Sequence, residues 1–311
     1  MRIVLFGSGG LFSRVVLDAL VGRHALLAVV VPGAGGRGLR RAAADVLIRA
    51  VGRDFRRLVR RLGLPVIPYR RDAVPDAAAS LESLGADLFC VGSFPYVLRD
   101  PILRLPRLGT VNLHPSLLPR HRGSDPVFWT FVGDEADTGV TLHWVDDGVD
   151  TGDVIAQRRV GVERGVAGSA LTERLAREAA ELLVRTLPAI EEGSAPRIPQ
   201  DETLATREPS PSRAAWPVDY EAWPAERVWH FLRGVGTSRL QDGAGRPLPA
   251  GAATSFETGK HEEPVGSARI TRSGVRVYCR DGWVDLKPLS LKRRVARSLI
   301  RRVRGRGRFG R

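Results

Sequence analysis

Short continuous apolar runs alternate with stretches of helical period over the first 200 residues. Arg2–Phe6, Ala25–Val31, Leu64–Pro68, Ala86–Val91, Gly109–Leu113 and Gly139–Val145 read as strands. Several are unbroken Val/Leu/Ile runs, the pattern of strands covered on both faces of a parallel sheet. Leu11–Val21, Arg40–Leu62 and Ala77–Leu84 read as the helices between them. Ser169–Leu187 places Leu171, Leu175, Leu182 and Leu183 on one face, and Pro188 is expected to stop it. This rhythm predicts an α/β fold, a doubly wound and mostly parallel sheet with ligands at the carboxyl ends of its strands. Gly193 to Arg213, rich in Pro, Ser and polar residues, reads as a linker. After it, Ala225–Leu232 reads as a short helix. Ala268–Thr271, Val275–Cys279 and Trp283–Leu286 read as strands, with hairpin turns at Ser273-Gly274 and Asp281-Gly282. The expected division is a main domain over 1–200, a linker over 201–213, a small β domain over 214–290 and a basic tail over 291–311.

Composition adjusts this picture in three places. A chain of 311 residues with 43% hydrophobic content has room for two cores. It holds no apolar run of about eighteen residues, so no transmembrane helix is expected. Met1 to Gly7 reads as a first strand and lacks the apolar core and cleavage site of a signal peptide. Cys90 and Cys279 sit in apolar strand patterns without metal-ligand spacing, so buried thiols and a reducing cytoplasm are expected. The net charge is +14. Residues 292–311 hold ten Lys/Arg and no acid, which leaves +4 for the rest. Such a tail can attract RNA or an anionic membrane surface, or stand as a solvated end. Leu291, Val295, Leu299 and Val303 would line one face of a basic helix there.

The densest chemistry lies between Val111 and Gly152. Asn112 and His114 flank Leu113 at the end of an apolar strand, so their side chains share one face. A basic loop punctuated by Pro and Gly follows, from Pro115 to Gly123. An acidic turn from Asp146 to Gly152 closes the next strand, and Gly148 and Gly152 let it curl close to the first. An amide, an imidazole and a carboxylate are the groups that move an acyl unit onto an amine. An amide N–H and an imidazolium can stabilise the oxyanion, one such donor being worth about 3 kcal/mol. A carboxylate beside the imidazole would orient it, raise its pKa and take the proton, directly or through water. A satisfied polar strand end or a plain Asx turn accounts for any one of these residues alone. Their joint spacing favours a site. His114, His121 and Asp150 lack the ligand spacing of a metal centre, so no metal is expected. Gly7-Ser8-Gly9-Gly10 opens the first helix, where N–H groups can hold an anion; a tight turn is the equal alternative. Phe12 occupies the third glycine position of a dinucleotide fingerprint.

Asn112-Leu113-His114-Pro115-Ser116-Leu117-Leu118-Pro119-Arg120 with Arg122-Gly123, Asp134, Thr138 to His143, and Asp150-Thr151-Gly152 resembles the folate-dependent formyltransferases. The resemblance covers residues 1–200 strongly. It is weaker over Arg207 to Pro211 and Trp223 to Arg227. It implies the Rossmann-like formyltransferase fold with a small, OB-like C-terminal β domain. It implies Asn112, His114 and Asp150 as the catalytic trio and 10-formyltetrahydrofolate as co-substrate. The implied folate pocket is Ser93 to Leu98, with Phe94, Tyr96, Val97 and Leu98, together with Val145 and Asp146 from the turn. Apolar side chains there would sandwich the flat pterin. Gly7, Ser8 and Gly9, with Ser116, Leu117, Leu118, Pro119 and Arg120, are the implied acceptor side.

The acceptor is divided between branches of that family. The tRNA branch usually reads Trp at the position of His121, Ala-Ala-Pro at Ser124-Asp125-Pro126, and no His at His143. Gly139 to His143 with Asp153 to Gln157 also resembles the sugar branch. The two-domain layout and the basic segments favour tRNA. Gly36 to Arg41, Arg56, Arg57, Arg60, Arg61 and the tail would form a phosphate-contacting track, with a solvated helix face as the alternative. The balance falls narrowly to the amino group of initiator methionyl-tRNA. An amino-sugar nucleotide or other small amine is the alternative. Hydrolysis of formyltetrahydrofolate ranks lower, because such enzymes carry a regulatory domain ahead of the catalytic one and here the pattern starts at Met1. A non-enzymatic RNA- or membrane-binding protein on the same fold is opposed by the intact trio.

Overall fold

Residues 1–33, 54–211 and 216–288 are described by the computed structural model. The expected helix Arg40–Leu62 lies partly outside them; residues 54–61 are helical and bury Phe55 and Val59. The basic run at 36–41 and the tail at 291–311 lie outside the described residues altogether.

The chain divides into two units. The first holds Met1–Trp129, Ala136–Val162 and Ala170–Ser210. Its frame is a seven-stranded sheet built from β1 (Arg2–Gly7), β2 (Ala25–Pro32), β3 (Val66–Tyr69), β4 (Leu88–Gly92), β5 (Gly109–His114), β7 (Asp137–Trp144) and β8 (Val154–Gly161), in the order β3-β2-β1-β4-β5-β7-β8. A two-residue strand, β6 (Arg122–Gly123), lies between β5 and β7 in sequence and is not part of this sheet. The pairs from β3 through β5 are parallel, and β5–β7 and β7–β8 are antiparallel. Five of the six apolar runs lie in the parallel part of the sheet, where β4 is buried along its whole length; the sixth is β7, almost as fully buried but antiparallel to both neighbours. Helices α1 (Leu11–Leu20), α2 (54–61), α3 (Val74–Glu82) and α5 (Gly168–Glu191) connect or follow them. Phe6, Phe89, Ile102 and Leu81 are fully buried within one cluster that includes Val4, Val30 and Tyr69. Each such side chain contributes about 1.5–3 kcal/mol.

Two readings from the sequence are corrected here. Pro188 does not stop α5, which runs on to Glu191. Leu187 and Ile190 are buried, and that burial outweighs the one backbone bond that proline removes. The stretch from 201 is not a bare linker. Glu202–Leu204 forms a 3-10 turn capped by Asp201, and β9 (Arg207–Glu208) pairs in parallel with β6. Residues through Ser210 belong to the first unit.

The second unit holds Thr130–Glu135, Glu163–Ser169 and Pro211–Arg311. In it, α6 (Ala225–Val235) accompanies an antiparallel sheet of β10 (Ala250–Thr258), β11 (Ala268–Ile270), β12 (Val275–Cys279) and β13 (Gly282–Pro288), in the order β10-β13-β12-β11. Trp229 of α6 meets Phe256 of β10 with ring centroids 5.1 Å apart. A further short helix, α4 (Pro126–Val132), straddles the division between the units.

Candidate active site

The antiparallel pairing of β5 with β7 builds the site. Its register sets Asn112 opposite His143 and His114 opposite Thr141, so these side chains emerge on one face. The turn after β7 then curls back. An added Cβ at Gly152 would overlap the Trp144 carbonyl, and one at Gly148 would overlap Thr151 Oγ1, so both glycines permit the close curl. Asp146 organises the turn by accepting Gly148 N at 3.0 Å and Thr151 Oγ1 at 2.7 Å. Asp150 adopts φ 56°, the left-handed region that Asp tolerates better than most residues.

Asn112, His114 and Asp150 converge. Asn112 Nδ2 donates to Asp150 Oδ1 at 3.3 Å, and Gly123 N donates to Asp150 Oδ2 at 2.9 Å. His114 Nδ1 stands 3.7 Å from Asp150 Oδ2. His114 Nε2 lies 2.9 Å from the His121 carbonyl, which only accepts, so Nε2 carries the proton and Nδ1 is the basic nitrogen of the neutral ring. His143 is fixed in the opposite tautomer. Its Nδ1 lies 2.7 Å from the Trp144 carbonyl, so its Nε2 accepts the second Asn112 amide hydrogen at 3.1 Å.

Burial sets the protonation of His114. Desolvation pushes its pKa below 6.5 and outweighs Asp150, which pulls the other way. The carboxylate raises this pKa, as expected, but burial outweighs it, and the ring is neutral at neutral pH. For Asp150, burial acts to raise the pKa, but His114, His143 and the Gly123 N–H overcome it and hold the carboxyl well below the usual range. Its distance of 3.7 Å from His143 Nε2 is too long for a hydrogen bond, and the short contact from Gly123 is the firmer cause.

The trio lines a cleft of about 520 Å³ within the first unit, in the range of small-molecule sites. All six residues expected to hold folate, Phe94, Tyr96, Val97, Leu98, Val145 and Asp146, line the same cleft. Phe94 packs edge-on against Phe6, Tyr69 and Tyr96, each with centroids 5.5 Å apart, which fixes one apolar wall. Of the expected acceptor residues only Ser8 lines it. The amides of Ser8 and Gly9 are used inside the turn, on Ser93 O at 2.9 Å and Ser13 Oγ at 3.3 Å, and Gly7 packs against Ser13. Ser116, Leu117, Leu118, Pro119 and Arg120 stand behind the wall. Ser116 Oγ donates to Arg120 O, Leu118 N donates to Thr141 Oγ1, and Leu117 packs over Gly139. Pro119 O accepts Thr206 N, and Arg120 is exposed.

Sequence reasoning quoted His143 and Gly123 in the motif without giving them a site role, and it did not single out Gln200. The first was legible from the strand pairing, which puts it beside Asn112. The second acts through its backbone N–H, and the third arrives from fifty residues beyond the turn; neither left a local signal.

Residues 1–187 match the family model described as formyl transferase. Curated relatives named methionyl-tRNA formyltransferase include one from Syntrophus aciditrophicus (strain SB), 30% identical over 277 residues, covering 87% of this chain and 84% of that protein. Another, from Synechococcus sp. (strain JA-3-3Ab), is 38% identical over 172 residues, 55% of this chain and 53% of that protein. In that alignment the chain spans about half the length of its relative. Among solved structures, the N-formyltransferase from Helicobacter canadensis, in complex with folinic acid and dTDP-3-aminofucose, matches with a TM-score of 0.62 at 13% identity over 93% of this chain and 100% of that one. HypX from Aquifex aeolicus matches with a TM-score of 0.64 at 17% identity over 92% of this chain and 43% of that one. At these identities the two structures speak for the fold.

Proposed function

The chain belongs to the formyl transferase family, and from that premise we propose that it transfers a formyl group from 10-formyltetrahydrofolate to a primary amine. The observation that carries the reading is the convergence of Asn112, His114 and Asp150 in a cleft whose other wall is Phe94 to Leu98 and Val145. That wall is apolar and aromatic, and it suits a flat heteroaromatic ring.

In this mechanism His114 enters neutral and takes the proton of the attacking amine on Nδ1. Asp150, ionised throughout, stabilises the imidazolium as it forms. Asn112 supports the negative charge that gathers on the formyl oxygen. Its bond to His143 is the shorter; the 3.3 Å contact to Asp150 is the one that a substrate oxygen would take over. His114 then returns the proton to the leaving nitrogen.

For the acceptor, the initiator methionyl-tRNA amino group is the first reading, supported by the named relatives that align over most of the chain. A second reading, an amino-sugar nucleotide, is favoured by His143, which the sequence sets apart from the tRNA branch and which here bonds to Asn112. One assay separates them: 10-formyltetrahydrofolate with methionyl-tRNA, with an amino-sugar nucleotide, and with water alone. Formylmethionyl-tRNA supports the first. Formyl sugar supports the second, and formate without acceptor would make the protein a hydrolase. No turnover in any arm overturns the proposal.

A further inference from the structure

Past α5, the chain from Arg197 to Glu208 returns to the turn that carries Asp150, and Gln200 closes on it. We infer that Gln200, locked by Arg122, is a positioning residue that holds the Asp150 carboxylate at its working distance from His114; this rests on the catalytic role proposed for Asp150. Gln200 Nε2 donates to the Asp150 carbonyl at 2.9 Å and to the Gly152 carbonyl at 2.8 Å. Gln200 Oε1 accepts from Arg122 Nε at 3.0 Å and Nη2 at 2.8 Å. A guanidinium only donates and a carbonyl only accepts, so the amide can face one way only. Arg122 is itself fixed: its side chain is 7% exposed, and it donates to both Glu202 carboxylate oxygens, at 2.9 Å and 2.6 Å.

Arg122 and Gly123 thus grip Asp150 at both ends. Gly123 N holds the carboxylate directly, and Arg122 holds the backbone carbonyl through Gln200. The grip also steadies Asp150 at positive φ, a conformation that aspartate tolerates but that still costs a non-glycine residue free energy. Gln200 does not line the cleft, so its effect passes through Asp150. Without its two N–H groups the turn relaxes, and the carboxylate moves relative to His114 Nδ1.

The test pairs Gln200→Met, which keeps the length and removes the donors, with Asp150→Asn, singly and together. With 10-formyltetrahydrofolate and methionyl-tRNA, or the amino-sugar nucleotide if that is what reacts, Gln200→Met lowers kcat about 10- to 100-fold, as a displacement of about an ångström does. KM for the formyl donor stays within about 2-fold. In the Asp150→Asn background the second substitution has no further effect, because both act through one carboxylate. An acceptor-free readout is the His114 titration by NMR. Its midpoint falls in Gln200→Met as the carboxylate withdraws, and does not move when Gln200→Met is added to Asp150→Asn. If Gln200→Met does not fold, Gln200→Glu, which keeps the Arg122 contact and cannot donate to the carbonyls, serves for turnover. Full activity in the Gln200 variants beside an impaired Asp150→Asn, or additive losses, overturns the inference alone. An unimpaired Asp150→Asn removes the role of Asp150 and the inference with it.

Discussion

His114 shows how one residue's surroundings select its chemistry. Its side chain is 5% exposed, and that burial disfavours the imidazolium more than Asp150 favours it. The ring is therefore neutral, as the proposed base requires. An NMR titration should place its midpoint below 6.5, and Asp150→Asn should lower it further by removing the neighbour that raises it. The acid limb of kcat/KM assigned to this ring then lies below pH 6.5; a His114 midpoint above that value would refute the neutral-base mechanism. The same shift acts on stability. An unfolded histidine takes its proton near 6.5 and the folded ring only at lower pH, so the folded state loses stability as pH falls through that window. Asn112→Ala, His114→Ala and Asp150→Ala should each reduce turnover by about 10²- to 10⁴-fold with unchanged circular dichroism. A near-wild-type rate in the His114 variant would remove it from the chemistry. Asn112 and His114 were legible because the period of two along a strand puts them on one face. The protonation of His114 was not legible: it depends on how deeply the fold encloses the ring, which residue type and spacing do not report.

At the scale of elements, the site is a consequence of one antiparallel pairing followed by one turn. The parallel strands announced themselves as apolar runs. The turn was legible from its glycines, and the structure shows why they are needed. A Cβ at Gly152 would occupy the space of the Trp144 carbonyl, and backbone on backbone cannot give way as a flexible side chain can. Gly152→Ala should therefore push the turn outward, carry Asp150 with it and lower turnover by at least about 10-fold. Gly161→Ala, where an added Cβ meets nothing within 4 Å, is the control and should stay near wild type. Equal rates in the two variants would show that the turn has slack. Strand β10 escaped the sequence reading because Ala, Gly, Ser and Thr fill it, and only its pairing with β13 defines it. The 201–208 stretch escaped for a related reason. Its polar residues have the composition of a linker, while Arg122, which Glu202 holds, lies far away in sequence.

For the whole molecule, the distribution of charge makes a claim that the cleft does not. The chain carries +14 overall, and its last twenty residues alone hold ten cations without an acid. An amino-sugar nucleotide offers such a tail a single diphosphate. A polynucleotide acceptor gains counterion release with every phosphate that an arginine neutralises. Deleting residues 291–311 therefore tests the tail's part in tRNA binding, and formylation of each acceptor decides between the two readings. If tRNA is the acceptor, the deletion should weaken tRNA binding at about 50 mM salt, and the dependence of log Kd on log salt should flatten by roughly 0.9 for each phosphate that the tail no longer neutralises. Reaction with an amino-sugar nucleotide, which brings one diphosphate rather than a track of phosphates, should change far less. The measurement is tRNA affinity by filter binding at several salt concentrations, for the full chain and the shortened one. Equal affinities and equal slopes would reduce the tail to a solvated end. The acceptor question would then return to His143, whose position departs from the tRNA branch and which bonds to Asn112.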